Sequence, residues 1–93
     1  VVDLSVPGAH DIIGDRAFGT EPNGIADLAA AALEGLAAGG VAGVIKHIPG
    51  HGRAFADSHY ELPRVTAGDN EMAKDFDAFA RVAHAPMAMT AHI

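Results

Sequence analysis

Val41-Ala42-Gly43-Val44-Ile45 runs without a break into Lys46-His47-Ile48-Pro49-Gly50-His51-Gly52-Arg53-Ala54-Phe55-Ala56-Asp57-Ser58-His59. The first five residues form a short apolar run with β-branched side chains, the pattern of a buried strand. The stretch that follows is polar and carries His47, His51 and His59 with Lys46, Arg53 and Asp57. A rigid strand that delivers a variable polar loop is where α/β proteins place their chemistry.

Working outward from this stretch, apolar and polar segments alternate. Residues 1–4 read as a strand and residues 5–21 as a long loop. Pro22 suits a first helical turn, where its missing N–H costs nothing. Ile25, Leu28, Ala29, Ala32, Leu33 and Leu36 then recur at the spacing of one helix face, and Gly39-Gly40 supplies a stop. After the strand at 41–45, residues 46–68 form a second long loop. Met72, Phe76, Phe79 and Ala83 mark a second helix, opened near Thr66 or Asp69. Pro86 ends that pattern, and residues 87–90 read as a strand again.

The order is β-α-β-α-β, with long loops only where strands lead into helices and short returns where helices lead into strands. This asymmetry points to a parallel sheet or a (β/α) barrel whose working face lies at the C-terminal ends of the strands. The chain of 93 residues is at most one small domain. It begins and ends on strand-like residues, which is expected of a piece cut from a longer protein.

Composition narrows the function classes. With 49% hydrophobic residues the chain can bury a core, and a net charge of −6 argues against an electrostatic grip on nucleic acid or an anionic membrane surface. There is no cysteine, which fits a reducing compartment. No signal peptide, lipidation motif or apolar run long enough to span a membrane is present.

The central loop admits four readings from its residues. Gly50-His51-Gly52 resembles a phosphate cradle but lacks the third glycine and the immediate helix start. His47, His51, Asp57 and His59 are ligand types that suit Zn or Fe. The histidines could instead be structural, satisfied by backbone groups. Finally, Asp57 and His59, two apart in an extended segment, would point the same way, so that the carboxylate orients the imidazole for proton transfer. Ser58 between them would point away, which disfavours a Ser-His-Asp triad.

Lys46-His47-Ile48-Pro49-Gly50-His51-Gly52 with Asp57-Ser58-His59 resembles the signature of bacterial β-N-acetylhexosaminidases of glycoside hydrolase family 3, in particular the anhydromuropeptide-processing subgroup. Val2-Asp3-Leu4, Ile13-Gly14-Asp15-Arg16-Ala17-Phe18-Gly19 and Met89-Thr90-Ala91-His92 resemble that family's neighbouring strand ends and loop. The resemblance implies that residues 1–93 are part of the family's N-terminal-type catalytic domain, truncated at both ends. The fold it implies is a β-α-β-α-β fragment of a (β/α)8 TIM-type barrel.

It further implies a retaining β-N-acetylglucosaminidase that needs no cofactor or metal. His59 would be the general acid/base, Asp57 its paired carboxylate, and Arg16, Lys46 and His47 substrate-binding residues. The substrate would be terminal N-acetylglucosamine linked β-1,4 to 1,6-anhydro-N-acetylmuramic acid, as in cytoplasmic peptidoglycan recycling, with no nucleic-acid or membrane partner. The family's aspartate nucleophile has no counterpart before Ile93 and is expected on a later strand. Arg53 is a further candidate for a substrate carboxylate, whereas His10, His84 and His92 read as ordinary loop and strand-end residues. A metal-dependent hydrolase built on His47, His51, Asp57 and His59 is the alternative.

Overall fold

The computed structural model describes residues 1–93. Its regular elements are a single 3-10 turn at Gly14–Arg16, helix α1 at Pro22–Ala38, strand β1 at Val44–Ile48, helix α2 at Asp69–Arg81 and strand β2 at Met87–Thr90. The two strands pair in parallel, and α1 and α2 pack against each other.

Helix α1 starts after the extended Glu21, with Pro22 in its first turn as expected. It ends in a Schellman motif. Gly40 sits at a φ of 80°, in the left-handed region that residues with a Cβ avoid; its N–H donates to the Ala37 carbonyl at 3.0 Å and that of Val41 to the Leu36 carbonyl at 2.9 Å. Because the Val41 N–H closes the helix, it cannot join a sheet ladder. The strand expected at 41–45 therefore begins at Val44 and runs on through Lys46 and His47, bringing two candidate site residues out of the loop and onto the sheet.

The expected strand at 1–4 is only an extended segment. Its Val2 N–H donates to the Lys46 carbonyl at 2.8 Å, but the next ladder position is taken by a side chain. The His47 N–H faces the Asp3 carboxylate at 3.2 and 3.3 Å instead of a backbone carbonyl. The sheet accordingly has two strands, with residues 1–4 alongside β1.

Both helices turn a somewhat different face inward than their apolar spacing predicts. On α1 the buried residues are Ile25, Ala26 and Ala29, while Leu28 and Leu36 are exposed. On α2 they are Asp75, Ala78 and Phe79, with Val82 just beyond the helix, while Phe76 and Ala83 are exposed. Small Ala26 and Ala78 allow close packing, and Asp75 is drawn in by an ion pair described below. Helix α2 is capped by Gly68, whose N–H donates to the Glu71 carboxylate at 3.2 Å, not by Thr66 or Asp69. The core joins Val2, Leu4, Ile25, Ala26, Ala29, Ile45, Ala78, Phe79 and Val82. Ile45 anchors β1 in this core, whereas the residues of β2 are all exposed.

Candidate active site

Lys46 and His47 are consecutive, yet both line one cavity of ≈ 250 Å³. The β1–β2 register slips between Lys46 and Ile48, and such an irregularity re-aims a side chain that regular alternation would turn away. The other walls come from Arg16 and Ile13 of the first long loop, His51 and His59 of the second, and Thr90 and His92 at the end of β2. Four of the five expected site residues, Arg16, Lys46, His47 and His59, thus meet at the C-terminal ends of two parallel strands. The fifth, Asp57, stands behind His59.

The Asp57–His59 pair forms, but through a turn and not an extended segment. The Asp57 Oδ1 atom accepts the His59 backbone N–H at 2.8 Å and lies 2.6 Å from the ring Nδ1. An Asp that bonds the backbone two residues on makes its own turn, and here that turn swings the imidazole back onto the same oxygen. The His59 backbone N–H, aided by the ring, holds the Asp57 carboxyl below its ordinary value of 3.8. An ionised Asp57 keeps the ring proton on Nδ1 and leaves Nε2 free to exchange a proton. The His59 side chain is 75% exposed, so that exchange faces open solvent or a bound molecule. Ser58 also borders the cavity, but no hydrogen bond joins it to His59.

Arg16 is not paired with Asp15 or Glu21. Its guanidinium donates to the carbonyls of Ile12 and Ile13, which fixes the side chain against its own turn at the cavity wall. Arg53 behaves differently from the expectation that it meets a substrate carboxylate. Its Nε donates to Asp75 Oδ2 at 2.6 Å and one Nη to the Glu71 carbonyl at 3.1 Å, so it ties the loop to α2. Burial pushes the Asp75 carboxyl above its ordinary value, against the pull of Arg53.

The glycines of Gly50-His51-Gly52 answer to packing. A Cβ on Gly52 would sit 1.8 Å from the Leu4 carbonyl oxygen, and one on Gly50 would sit 2.8 Å from Asp75 Oδ1. The close approach of this loop to two other segments accounts for both glycines without a phosphate. Nor do His47, His51, Asp57 and His59 gather as one ligand set: no three His, Cys, Asp or Glu side chains come together in a metal-binding arrangement.

Two cavity residues stand apart from the expectations. His92 lines the wall, where a plain strand-end residue was expected. His51 is buried with both ring nitrogens unbonded, and its ring centroid lies 5.8 Å from that of His47, edge to face. Behind them is Asp3, fully buried and bonded to both His47 and His51. The signal for Asp3 in the sequence is a single carboxylate set inside the apolar run Val1-Val2-Asp3-Leu4.

A two-stranded parallel α/β unit with a polar, histidine-rich cavity at its strand ends has the layout in which α/β folds place a ligand site. Known proteins narrow this to a family. Residues 1–93 match the glycosyl hydrolase family 3 N terminal domain. A beta-hexosaminidase of Alkalilimnicola ehrlichii is 41% identical over 96 residues, covering 100% of this chain and 27% of that protein. A beta-hexosaminidase of Bordetella avium is 45% identical over 75 residues, covering 81% of this chain and 21% of that protein. The solved structure of NagZ from Neisseria gonorrhoeae in complex with N-trifluoroacetyl-D-glucosamine superposes with a TM-score of 0.85 at 38% identity, covering 98% of this chain and 27% of that one. The chain belongs to glycoside hydrolase family 3, within its N-terminal domain. It spans about a quarter of the length of these relatives.

Proposed function

We propose that residues 1–93 are part of the catalytic barrel of a retaining β-N-acetylglucosaminidase, with the remaining strands of a (β/α)8 barrel contributed by further chain. The observation that carries this reading is the Nδ1–Oδ1 contact of 2.6 Å between His59 and Asp57 beside a cavity lined by Arg16, Lys46 and His47. The family membership and the beta-hexosaminidase relatives support the same reaction class. The amino-sugar analogue bound by the gonococcal protein supports the substrate class.

In this reading a carboxylate nucleophile on a later strand attacks the anomeric carbon. His59 gives its Nε2 proton to the departing glycosidic oxygen, and the covalent glycosyl-enzyme forms. His59 then takes a proton from water as that water attacks the same carbon, so the product keeps its configuration. Lys46, Arg16 and His47 hold hydroxyl and acetamido oxygens in register with that chemistry. The substrate is N-acetylglucosamine linked β-1,4 to 1,6-anhydro-N-acetylmuramic acid, and the setting is cytoplasmic cell-wall recycling.

The test is incubation of the full-length enzyme with that disaccharide, following the released sugar by proton NMR. β-N-acetylglucosamine should appear first and then mutarotate. Initial release of the α-anomer, or no release, contradicts the proposal.

A further inference from the structure

We infer that Asp3 is a positioning residue for the substrate-binding wall: its buried carboxylate keeps a proton on His47 Nδ1 and leaves Nε2 as the nitrogen offered to the cavity. The kinetic consequence rests on the glycosidase reading above, while the placement of the proton rests on the hydrogen bonds that an ionised Asp3 accepts.

Asp3 Oδ2 lies 2.7 Å from His47 Nδ1. Oδ1 accepts the His51 backbone N–H at 2.8 Å, and the His47 N–H lies between the two oxygens at 3.2 and 3.3 Å. Backbone N–H groups donate in every protonation state, and an ionised carboxylate can only accept. The short contact at Oδ2 is then satisfied by an N–H on Nδ1, whether the ring is neutral or charged. Asp3 is fully buried, so no water competes for these oxygens.

The same carboxylate therefore sets the orientation of the His47 ring and pins the turn that carries His51. Lys46 beside it is a donor only, and a neutral His47 Nε2 is an acceptor. Together they complement a sugar hydroxyl that takes a hydrogen bond from one side and gives one to the other. This pair is a second histidine–aspartate unit at the cavity. It differs from His59–Asp57 in that its carboxylate is sealed from solvent, which suits holding a ring still and not exchanging protons through it.

Asparagine at position 3 keeps a carbonyl oxygen for the backbone donors but can turn its NH2 toward Nδ1. The ring proton is then forced to Nε2, and the acceptor in the cavity becomes a donor. The experiment is long-range 1H–15N correlation on the 15N-labelled full-length enzyme at pH 8, with His47 assigned by the signals lost in His47→Gln. Wild type should show a proton on Nδ1. In Asp3→Asn the proton should move to Nε2, and kcat/KM on a nitrophenyl β-N-acetylglucosaminide should fall by about 10- to 100-fold, the usual scale when a carboxylate that orients a histidine is lost. Most of that loss should lie in KM. An unprotonated Nδ1 in wild type overturns the inference, even if Asp3→Asn fails to fold. So does an Asp3→Asn enzyme with the relocated proton and unchanged KM. A wild-type enzyme that carries the Nδ1 proton but hydrolyses no N-acetylglucosaminide sinks the glycosidase reading and leaves the proton placement standing.

Discussion

Asp57 Oδ1 accepts two hydrogen bonds from one residue, the backbone N–H and the ring Nδ1 of His59, at 2.8 and 2.6 Å. The first fixes the turn and the second fixes the ring, so a single oxygen sets both where His59 is and which nitrogen carries its proton. Asp57→Asn should keep the turn through its carbonyl oxygen but lose the charge. We expect kcat/KM to fall by about 10²- to 10⁴-fold, the range for removing a general acid–base function, with little change in Tm. Circular dichroism and steady-state kinetics on the full-length enzyme check both halves.

The pH dependence of the pair follows from the same bonds. The Asp57 carboxyl is held below its ordinary value of 3.8, chiefly by the His59 backbone N–H. For a carboxyl depressed in the folded state, the interaction is complete above the unfolded value and fades as pH falls through the lower, folded one. Asp57 should thus stay ionised throughout pH 5 to 8, and an activity loss within that window should arise from other groups. A carboxyl 13C titration that finds Asp57 protonating above its ordinary value of 3.8 would contradict this.

Much of the architecture can be read from residue spacing. The two helices, the strand at Met87–Thr90 and the loops at the strand ends follow from period and from Pro and Gly placement. The start of β1 does not, because the Val41 N–H is spent on the Leu36 carbonyl, a choice visible only once the helix ends in a Schellman motif. The inward faces of the helices shift because Asp75 answers Arg53 across the fold. In the site, Arg16, Lys46, His47, Asp57 and His59 are legible from chemical type and from likeness to a family. Asp3 is not, since its partner His47 is 44 positions away and no local pattern announces such a contact.

Two glycine substitutions should have opposite effects. Gly52→Ala places a methyl carbon 1.8 Å from the Leu4 carbonyl oxygen, and the backbone must shift to admit it. The expected loss is about 3 kcal/mol, at the upper end for overpacking a tight site. Gly35→Ala, inside α1 with open space around it, should gain about 0.5–1 kcal/mol through helix propensity. Urea denaturation of the full-length variants measures both, and a destabilised Gly35→Ala would mean that α1 is packed differently.

The second loop should divide into a fixed and a mobile half. His51, Gly52 and Ala54 are buried, and Arg53 is clamped to Asp75. Phe55, Tyr60 and Leu62 are 65%, 89% and 74% exposed, so few apolar contacts hold the part that carries His59. Hydrogen exchange on the full-length enzyme should show residues 50–54 protected throughout. Residues 55–62 should exchange quickly when free and slowly with an amino-sugar analogue bound. Strong protection of 55–62 in the free enzyme would show that the loop is already set.

Chelation should leave turnover intact. The candidate ligands do not converge, and His47 Nδ1 is engaged by Asp3. Activity of the full-length enzyme should be unchanged after dialysis against EDTA. Loss of turnover that returns on adding Zn would favour metal-assisted hydrolysis.

If His59 donates the proton to the leaving group, its loss should matter most for leaving groups that need that proton. Pre-steady-state rates of the glycosylation step should be measured for His59→Ala and wild type, on the anhydro-disaccharide and on a nitrophenyl glycoside. The rate should fall by about 10²- to 10⁴-fold on the disaccharide and much less on the nitrophenyl substrate, whose departure needs no proton. Equal falls on both would show that His59 is not the acid.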